Sequence, residues 1–248
     1  VKEKVRGLDL EAYGKTDTGK QRSTNQDSIF ISTKPIGPLP NLFIVADGMG
    51  GHAAGDFASR YAINVVTKFV RGSTIKSPIS LLKRAFILAS HKLFEEAEKD
   101  KDKYGMGTTM VAAVIVDGEL FVANIGDSRL YVLKDDIQQV TMDHSLVEEM
   151  IRNGQLDRKN GRNHPEKNII TKAMGSRDEA MPDFFELTLD QGDKILMCSD
   201  GLSNMVEDDE IGDILLDSEN DEKAVSSLID KANYYGGNDN ISTIVITV

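Results

Sequence analysis

A single cysteine, Cys198, occurs in 248 residues, so no disulfide within the chain supports the fold, and Cys198 reads as a small core residue. No apolar run approaches the ~18 residues that a membrane span needs. Basic side chains are in deficit. The 29 Lys and Arg against 40 Asp and Glu leave a formal charge of −11, which opposes binding to nucleic acid or to an anionic membrane unless charges segregate strongly. No Pro/Ser-rich or low-complexity seam divides the chain and no internal repeat is present, which predicts one domain, residues 1–248, with ample core. Val1-Lys2-Glu3-Lys4 has neither signal-peptide character nor an initiator methionine, as in a chain trimmed or cut from a longer protein. A cytoplasmic monomer is the expectation.

What is present alternates between strand and helix. Ser28–Ser32 and Leu42–Ala46 read as strands around a loop, 34–41, whose three prolines cannot extend a ladder. Phe57, Tyr61, Ala62, Val65, Val66, Phe69 and Val70 recur at helical spacing, and a second helix is announced by Ser77-Pro78, ahead of a solvated charge run from Glu95 to Lys103. These two helices read as an antiparallel pair. Thr108–Val116, Leu120–Ile125 and Leu130–Leu133 read as a β-meander turning at Asp117-Gly118. From His144 to Ala173 the chain is polar and turn-rich, with one helical pattern at Leu146–Ile151, and reads as a flap. A strand at Lys194–Cys198, helices at Asp208–Leu216 and Glu222–Ala232, and a closing strand Ile241–Val248 follow. This order is not a regular βαβ alternation. It predicts mainly antiparallel sheets covered by helices.

Asp47, Asp127, Asp200 and Asp239 each stand at the edge of a short apolar stretch and before a small or turn-forming residue. Alone, each is compatible with capping or turn chemistry; Asp117-Gly118 is such a turn and is assigned no function. Together, four strand-edge carboxylates crowd like charges unless cations neutralise them, and all-oxygen ligands suit magnesium, manganese or calcium. The run Asp47-Gly48-Met49-Gly50-Gly51-His52 has more glycine than a tight turn requires. Near the N-terminus, Arg22 and Asp27 flank a polar loop, and an arginine fork there suits a phosphate, although solvated surface is the plainer reading.

Five blocks in order, Arg22–Asp27, Val45–His52, Gly107-Thr108-Thr109, Asn124–Arg129, and the pair 198–201 with 237–242, resemble the metal-dependent serine/threonine protein phosphatases of the PPM (type 2C) class in their compact bacterial form. The resemblance spans Gly19 to Val248. It implies an α+β fold, a four-layer α-β-β-α sandwich of two antiparallel sheets flanked by helix pairs. It also implies that Asp47 bridges two Mn2+ or Mg2+ ions, that the Gly48 carbonyl binds one of them, and that Asp200 and Asp239 complete the other site. Asp127 with Asp200 would hold a third, weaker ion, Arg22 would grip the substrate phosphate, and Asp27 would steady the site through hydrogen bonds. Phosphoserine and phosphothreonine esters of proteins would then be hydrolysed by direct attack of a metal-bridging hydroxide, opposing a cytoplasmic kinase.

The chain departs from that pattern in two places. Met49 stands where eukaryotic members carry a histidine proposed as general acid, which leaves the acid unassigned; His52 is available, with a surface role the plainer reading. Gln26 stands where many relatives have glutamate, which lowers the expected metal affinity. His144 and His164 read as surface groups. A non-catalytic module on the same fold and a hydrolase of small phosphate esters are the competing functions. Retention of every matched aspartate argues against the first, and nucleotide assays separate the second. The flap cations Arg152, Arg158, Lys159, Arg162, Lys167 and Lys172 read either as contacts for acidic or phosphorylated substrate segments or as a solvated loop.

Overall fold

A computed structural model describes residues 10–51, 54–176 and 181–248. In chain order the elements are β1 (Glu11–Asp17), β2 (Asp27–Ser32), β3 (Leu42–Met49), α1 (Ala54–Gly72), α2 (Pro78–Lys99), β4 (Gly107–Thr108), β5 (Met110–Val116), β6 (Glu119–Ile125), β7 (Arg129–Leu133), β8 (Ile137–Gln139), α3 (Leu146–Arg152), α4 (Arg158–Gly161), β9 (Asp183–Thr188), β10 (Lys194–Cys198), α5 (Asp200–Ser203), α6 (Asp208–Asp217), α7 (Asp221–Tyr234) and β11 (Ile241–Thr247).

The strands form two sheets. One runs β1-β11-β10-β7-β8; the other runs β2-β3-β5-β6-β9, with β4 paired to β3. All of these pairings are antiparallel. Antiparallel strands usually alternate apolar and polar residues, yet the interior strands β3, β5 and β10 read mainly as continuous apolar runs, because each sheet is covered on both faces. In β3, Phe43 and Val45 enter the core between the sheets, while Leu42, Ile44 and Ala46 pack toward α1 and α2. In β10, Ile195 and Met197 face the partner sheet, and Leu196 and Cys198 face α5, α6 and α7. Three apolar cores between four layers give the α-β-β-α sandwich expected of the resemblance.

Three helices, α2, α3 and α7, begin at a side-chain cap. Ser77 accepts a hydrogen bond from the Ser80 amide ahead of Pro78, and Asn220 accepts one from the Lys223 amide. At the root of the flap, Ser145 accepts from the Glu148 amide.

Two expectations change. The meander is broken, because β6 pairs with β5 and β9 while β7 pairs with β10 in the other sheet. The chain crosses between sheets at 126–128, where Gly126 adopts a φ of 104° with Thr109 packed against it, a conformation closed to residues with a Cβ. Three edge or near-edge strands, β1, β8 and β9, carry no clear apolar alternation and have no counterpart in the sequence reading.

Candidate metal centre

The predicted residues gather where both sheets present strand ends on one side. Asp27, the first residue of β2, lies directly opposite Asp47 in the β2–β3 ladder. The backbone of Asp47 is clamped. Its amide donates to Thr109 Oγ1 at 3.0 Å, and its carbonyl accepts from the Thr109 amide at 2.9 Å and Thr108 Oγ1 at 2.8 Å. Gly48 continues into the β3–β4 pairing opposite Thr108. A Cβ at Gly48 would stand 1.9 Å from the Gly55 carbonyl oxygen, so only glycine lets the start of α1 come this close.

Asp200 opens α5 immediately after β10 and Ser199. Ser199 ties two chain segments to this point. Its hydroxyl donates to Asp27 Oδ2 at 2.7 Å and accepts from the Ser242 amide of β11 at 3.0 Å. Asn204 donates to Asp200 Oδ2 at 2.8 Å. Asp239 precedes β11, with Oδ1 accepting from the Asn240 amide at 2.8 Å and Oδ2 from Arg22 Nη2 at 2.7 Å. Asn240 also braces the Arg22–Asp27 loop: Oδ1 accepts from the Gln26 amide, and Nδ2 donates to the carbonyls of Thr18 and Thr24. Asp127 sits on the crossover between β6 and β7, and Ser128 beside it exchanges a hydrogen bond with Thr109 at 2.7 Å. Thr109 is therefore a strut between Asp47 and Asp127. Its place in the Gly107-Thr108-Thr109 block gives no sign of that role in the sequence.

The electrostatics are those of crowded carboxylates. Burial, opposed by hydrogen bonds from Ser199 and Ser242 and reinforced by Asp200, pushes Asp27 up to about 7. Burial and the charge of Asp239 push Asp200 up to about 6, with hydrogen bonding to Asp47 partly offsetting the rise. Asp47 and Asp127 are raised well above the usual carboxylate range, first by burial and then by their acidic neighbours. Asp27 Oδ1, Asp127 Oδ1 and Asp200 Oδ1 are buried without a hydrogen-bond partner. Buried carboxylate oxygens left without donors and set among like charges fit a hard divalent cation. Among the described residues no three acidic, histidine or cysteine side chains close on one point as a finished cage. Each oxygen of Asp239 accepts one hydrogen bond, one of them from Arg22, which leaves a lone pair on each and places a guanidinium in competition with a cation there.

Other predicted groups fall differently. His52 lies outside the described residues. Met49 is half-buried at the end of β3, and Gln26 Nε2 reaches the Gly50 carbonyl at 3.5 Å. His144, expected at the surface, is 7% exposed. The Gly126 amide donates to its Nδ1 at 3.0 Å, and its Nε2 lies 3.1 Å from Asp183 Oδ2. Burial depresses its pKa, with Asp183 acting in the opposite sense. A cavity of about 440 Å³ extends from Asp127 and Asp200 to the flap, where Arg158, Lys159, Arg162 and Lys167 line it. Arg158 pairs with Glu148 at 2.7 Å and Arg162 with Glu207 at 2.9 Å.

The family model described as protein phosphatase 2C matches residues 16–231. Over 243 residues the chain is 37% identical to a serine/threonine phosphatase stp of Listeria innocua, covering 96% of this chain and 95% of that one. The fold superposes on serine/threonine phosphatase Stp1 from Staphylococcus aureus with a TM-score of 0.90 and 32% identity, covering 98% and 96% of the two chains. It also superposes on the catalytic domain of the serine/threonine protein phosphatase PstP in complex with two manganese ions, with a TM-score of 0.85 and 29% identity over 96% and 97%. With sequence likeness and fold agreeing over nearly the whole chain, this protein belongs to the protein phosphatase 2C family.

Proposed function

We propose that residues 1–248 form one catalytic domain that hydrolyses phosphoserine and phosphothreonine esters of proteins, with residues 144–173 as its flap. The observation that carries the reading is the set of buried, donorless oxygens on Asp27, Asp127 and Asp200 within a cluster of aspartates whose ionisation is suppressed.

In this reading Asp47, the Gly48 carbonyl, Asp200 and Asp239 hold two divalent cations, manganese or magnesium, and Asp127 with Asp200 holds a third. When bound, such ions supply an acidified water near neutral pH and positive charge for the phosphoryl oxygens. The chain supplies position. The Thr108 and Thr109 clamp fixes the strand end that carries Asp47, and Asp27 locks β2 to the start of α5 through Ser199. Arg22, half-exposed beside Asp239, turns its guanidinium fork to the substrate phosphate once that carboxylate is engaged elsewhere. Met49 has no proton to give the leaving alkoxide, because its side chain is a thioether. The substrates are phosphoproteins of a serine/threonine kinase acting in the same compartment. Among the described residues no helix is long and apolar enough to cross a membrane.

The test is phosphate release from a phosphothreonine peptide by metal-stripped protein, with manganese, magnesium or calcium restored, beside the Asp200→Asn variant. Activity regained with manganese or magnesium and absent in the variant supports the reading; no turnover despite bound metal overturns it.

A further inference from the structure

The segment 144–173 has two ends: the first is fastened to the residue before Asp127, and the second is fastened to the first. The His144 amide donates to the Gly126 carbonyl at 2.9 Å, and the Gly126 amide donates back to His144 Nδ1 at 3.0 Å. At the far end, the Thr171 amide donates to the His144 carbonyl at 2.8 Å, the Leu146 amide donates to the Ile169 carbonyl at 2.9 Å, and Ser145 bridges to Ile170. The ring closes the arrangement. An amide can only donate, so Nδ1 is the acceptor and Nε2 carries the proton, which it gives to Asp183 Oδ2 at 3.1 Å. Asp183 pairs with Asn124 across β6 and β9, two residues before Gly126. One buried imidazole thus touches the crossover that carries Asp127, the neighbouring strand, and the point where the flap leaves and returns.

We infer that His144 is a positioning residue that locks the flap's two ends to the backbone carrying Asp127, so that flap position and cation occupancy at Asp127 are coupled. The inference rests on the reading of Asp127 as a cation ligand. By linkage the coupling runs both ways: a cation at Asp127 steadies the flap, and a steadied flap tightens that cation. Outer partners that orient a ligand typically carry about 10- to 100-fold in metal affinity, and His144 acts one step further out, on the backbone amide next to Asp127.

Two substitutions dissect the ring. His144→Asn places an acceptor oxygen near the position of Nδ1, whereas His144→Gln reaches toward Asp183 and leaves the Gly126 amide without an acceptor. Manganese titration by calorimetry and amide hydrogen exchange are read together with the melting temperature. The Gln variant is expected to lose about tenfold in affinity for the weakest manganese ion and to exchange faster at 124–128, 144–146 and 169–172, while Asn stays within about twofold of the wild type. Equal loss in both variants, or unchanged exchange at Gly126 in the Gln variant, overturns the inference. A second experiment leaves His144 intact. Excess manganese is expected to slow exchange at both flap ends in the wild type and not in Asp127→Asn; equal slowing in both overturns it. None of these readouts requires turnover, so failure to hydrolyse phosphopeptide strikes the phosphatase reading alone.

Discussion

Arg22 Nη2 lies 2.7 Å from Asp239 Oδ2, so the group assigned to the substrate phosphate and a group assigned to a cation occupy one another. Arg22 is 52% and Asp239 36% exposed at the side chain, and solvent holds such a pair to about 0.5 kcal/mol. Arg22→Ala is therefore expected to tighten manganese binding by about twofold and to weaken competitive inhibition by inorganic phosphate by about tenfold. Calorimetry and inhibition kinetics on the same preparation check this; weakened binding of both ligands would show that the pair supports the site rather than competing with it.

The crowded aspartates make metal-free protein sensitive to pH. Asp27 is pushed up to about 7 in the fold from an ordinary value of 3.8. A raised carboxyl favours the fold when protonated, so its contribution is full below about pH 4 and is lost as pH rises through about 7. Asp200, at about 6, acts in the same sense. The melting temperature of stripped protein should fall from pH 5 to 8, and the gain on adding manganese should grow over that range. Burial of His144 acts oppositely, removing stability as the pH falls. Calorimetry of Asp27→Asn, in which the downward slope flattens, isolates the carboxyl.

Removing one negative charge from the cluster separates stability from function. Asp47→Asn should melt higher than stripped wild type at pH 8, because it removes a buried charge and, with it, the repulsion from Asp27, Asp200, Asp127 and Asp239. It should also lose the manganese-dependent rise in melting temperature and at least about a hundredfold in phosphopeptide turnover. A variant that melts lower than wild type without metal would mean that the carboxylate is already compensated.

Two glycines in one run should behave in opposite ways. Gly48→Ala drives a Cβ to 1.9 Å from the Gly55 carbonyl oxygen and is expected to cost about 3 kcal/mol in urea unfolding. At Gly51 an added Cβ meets nothing within 4 Å, and Gly51→Ala should stay within about 0.5 kcal/mol of the wild type.

In the flap, Lys159 and Lys167 form no ion pair among the described residues, unlike Arg158 and Arg162. Changing both lysines to Gln should raise KM about fivefold for an acidic phosphopeptide and leave hydrolysis of an aryl phosphate unchanged. Equal effects on the two substrates would place the lysines outside substrate recognition.

How legible each part was follows from how many neighbours it has. Strands such as β3, β5 and β10, covered on both faces, are apolar through consecutive positions along most of their length, and that composition stands out in the sequence. β1 contains Lys15, Asp17 and a mid-strand Gly14, none of which favours a strand pattern; in the fold Gly14 lets Ile31 and Ile244 approach. β9 is an edge with partly exposed positions, so little burial marks it. The aspartates were visible because a strand edge followed by a turn residue is a local pattern. The contacts that hold them were not, since Thr109, Ser199 and Asn240 act across long separations by ordinary hydroxyl and amide bonds. His144 was misplaced for the same reason: its partners, Gly126 and Asp183, are distant in sequence and reveal its burial only once the crossover forms.

β11 lies between β1 and β10, with Asp239 just before it, so an interior strand of one sheet is made from residues 241–247 and the edge it holds from residues 11–17. During synthesis these partners are separated by more than two hundred positions of chain. A nascent protein that stops before Asp239 lacks both that carboxylate and the strand that joins β1 to β10, and Ser199 has no Ser242 amide to accept from. Joining β1 to β10 and placing Asp239 are thus deferred until every other described strand has been made.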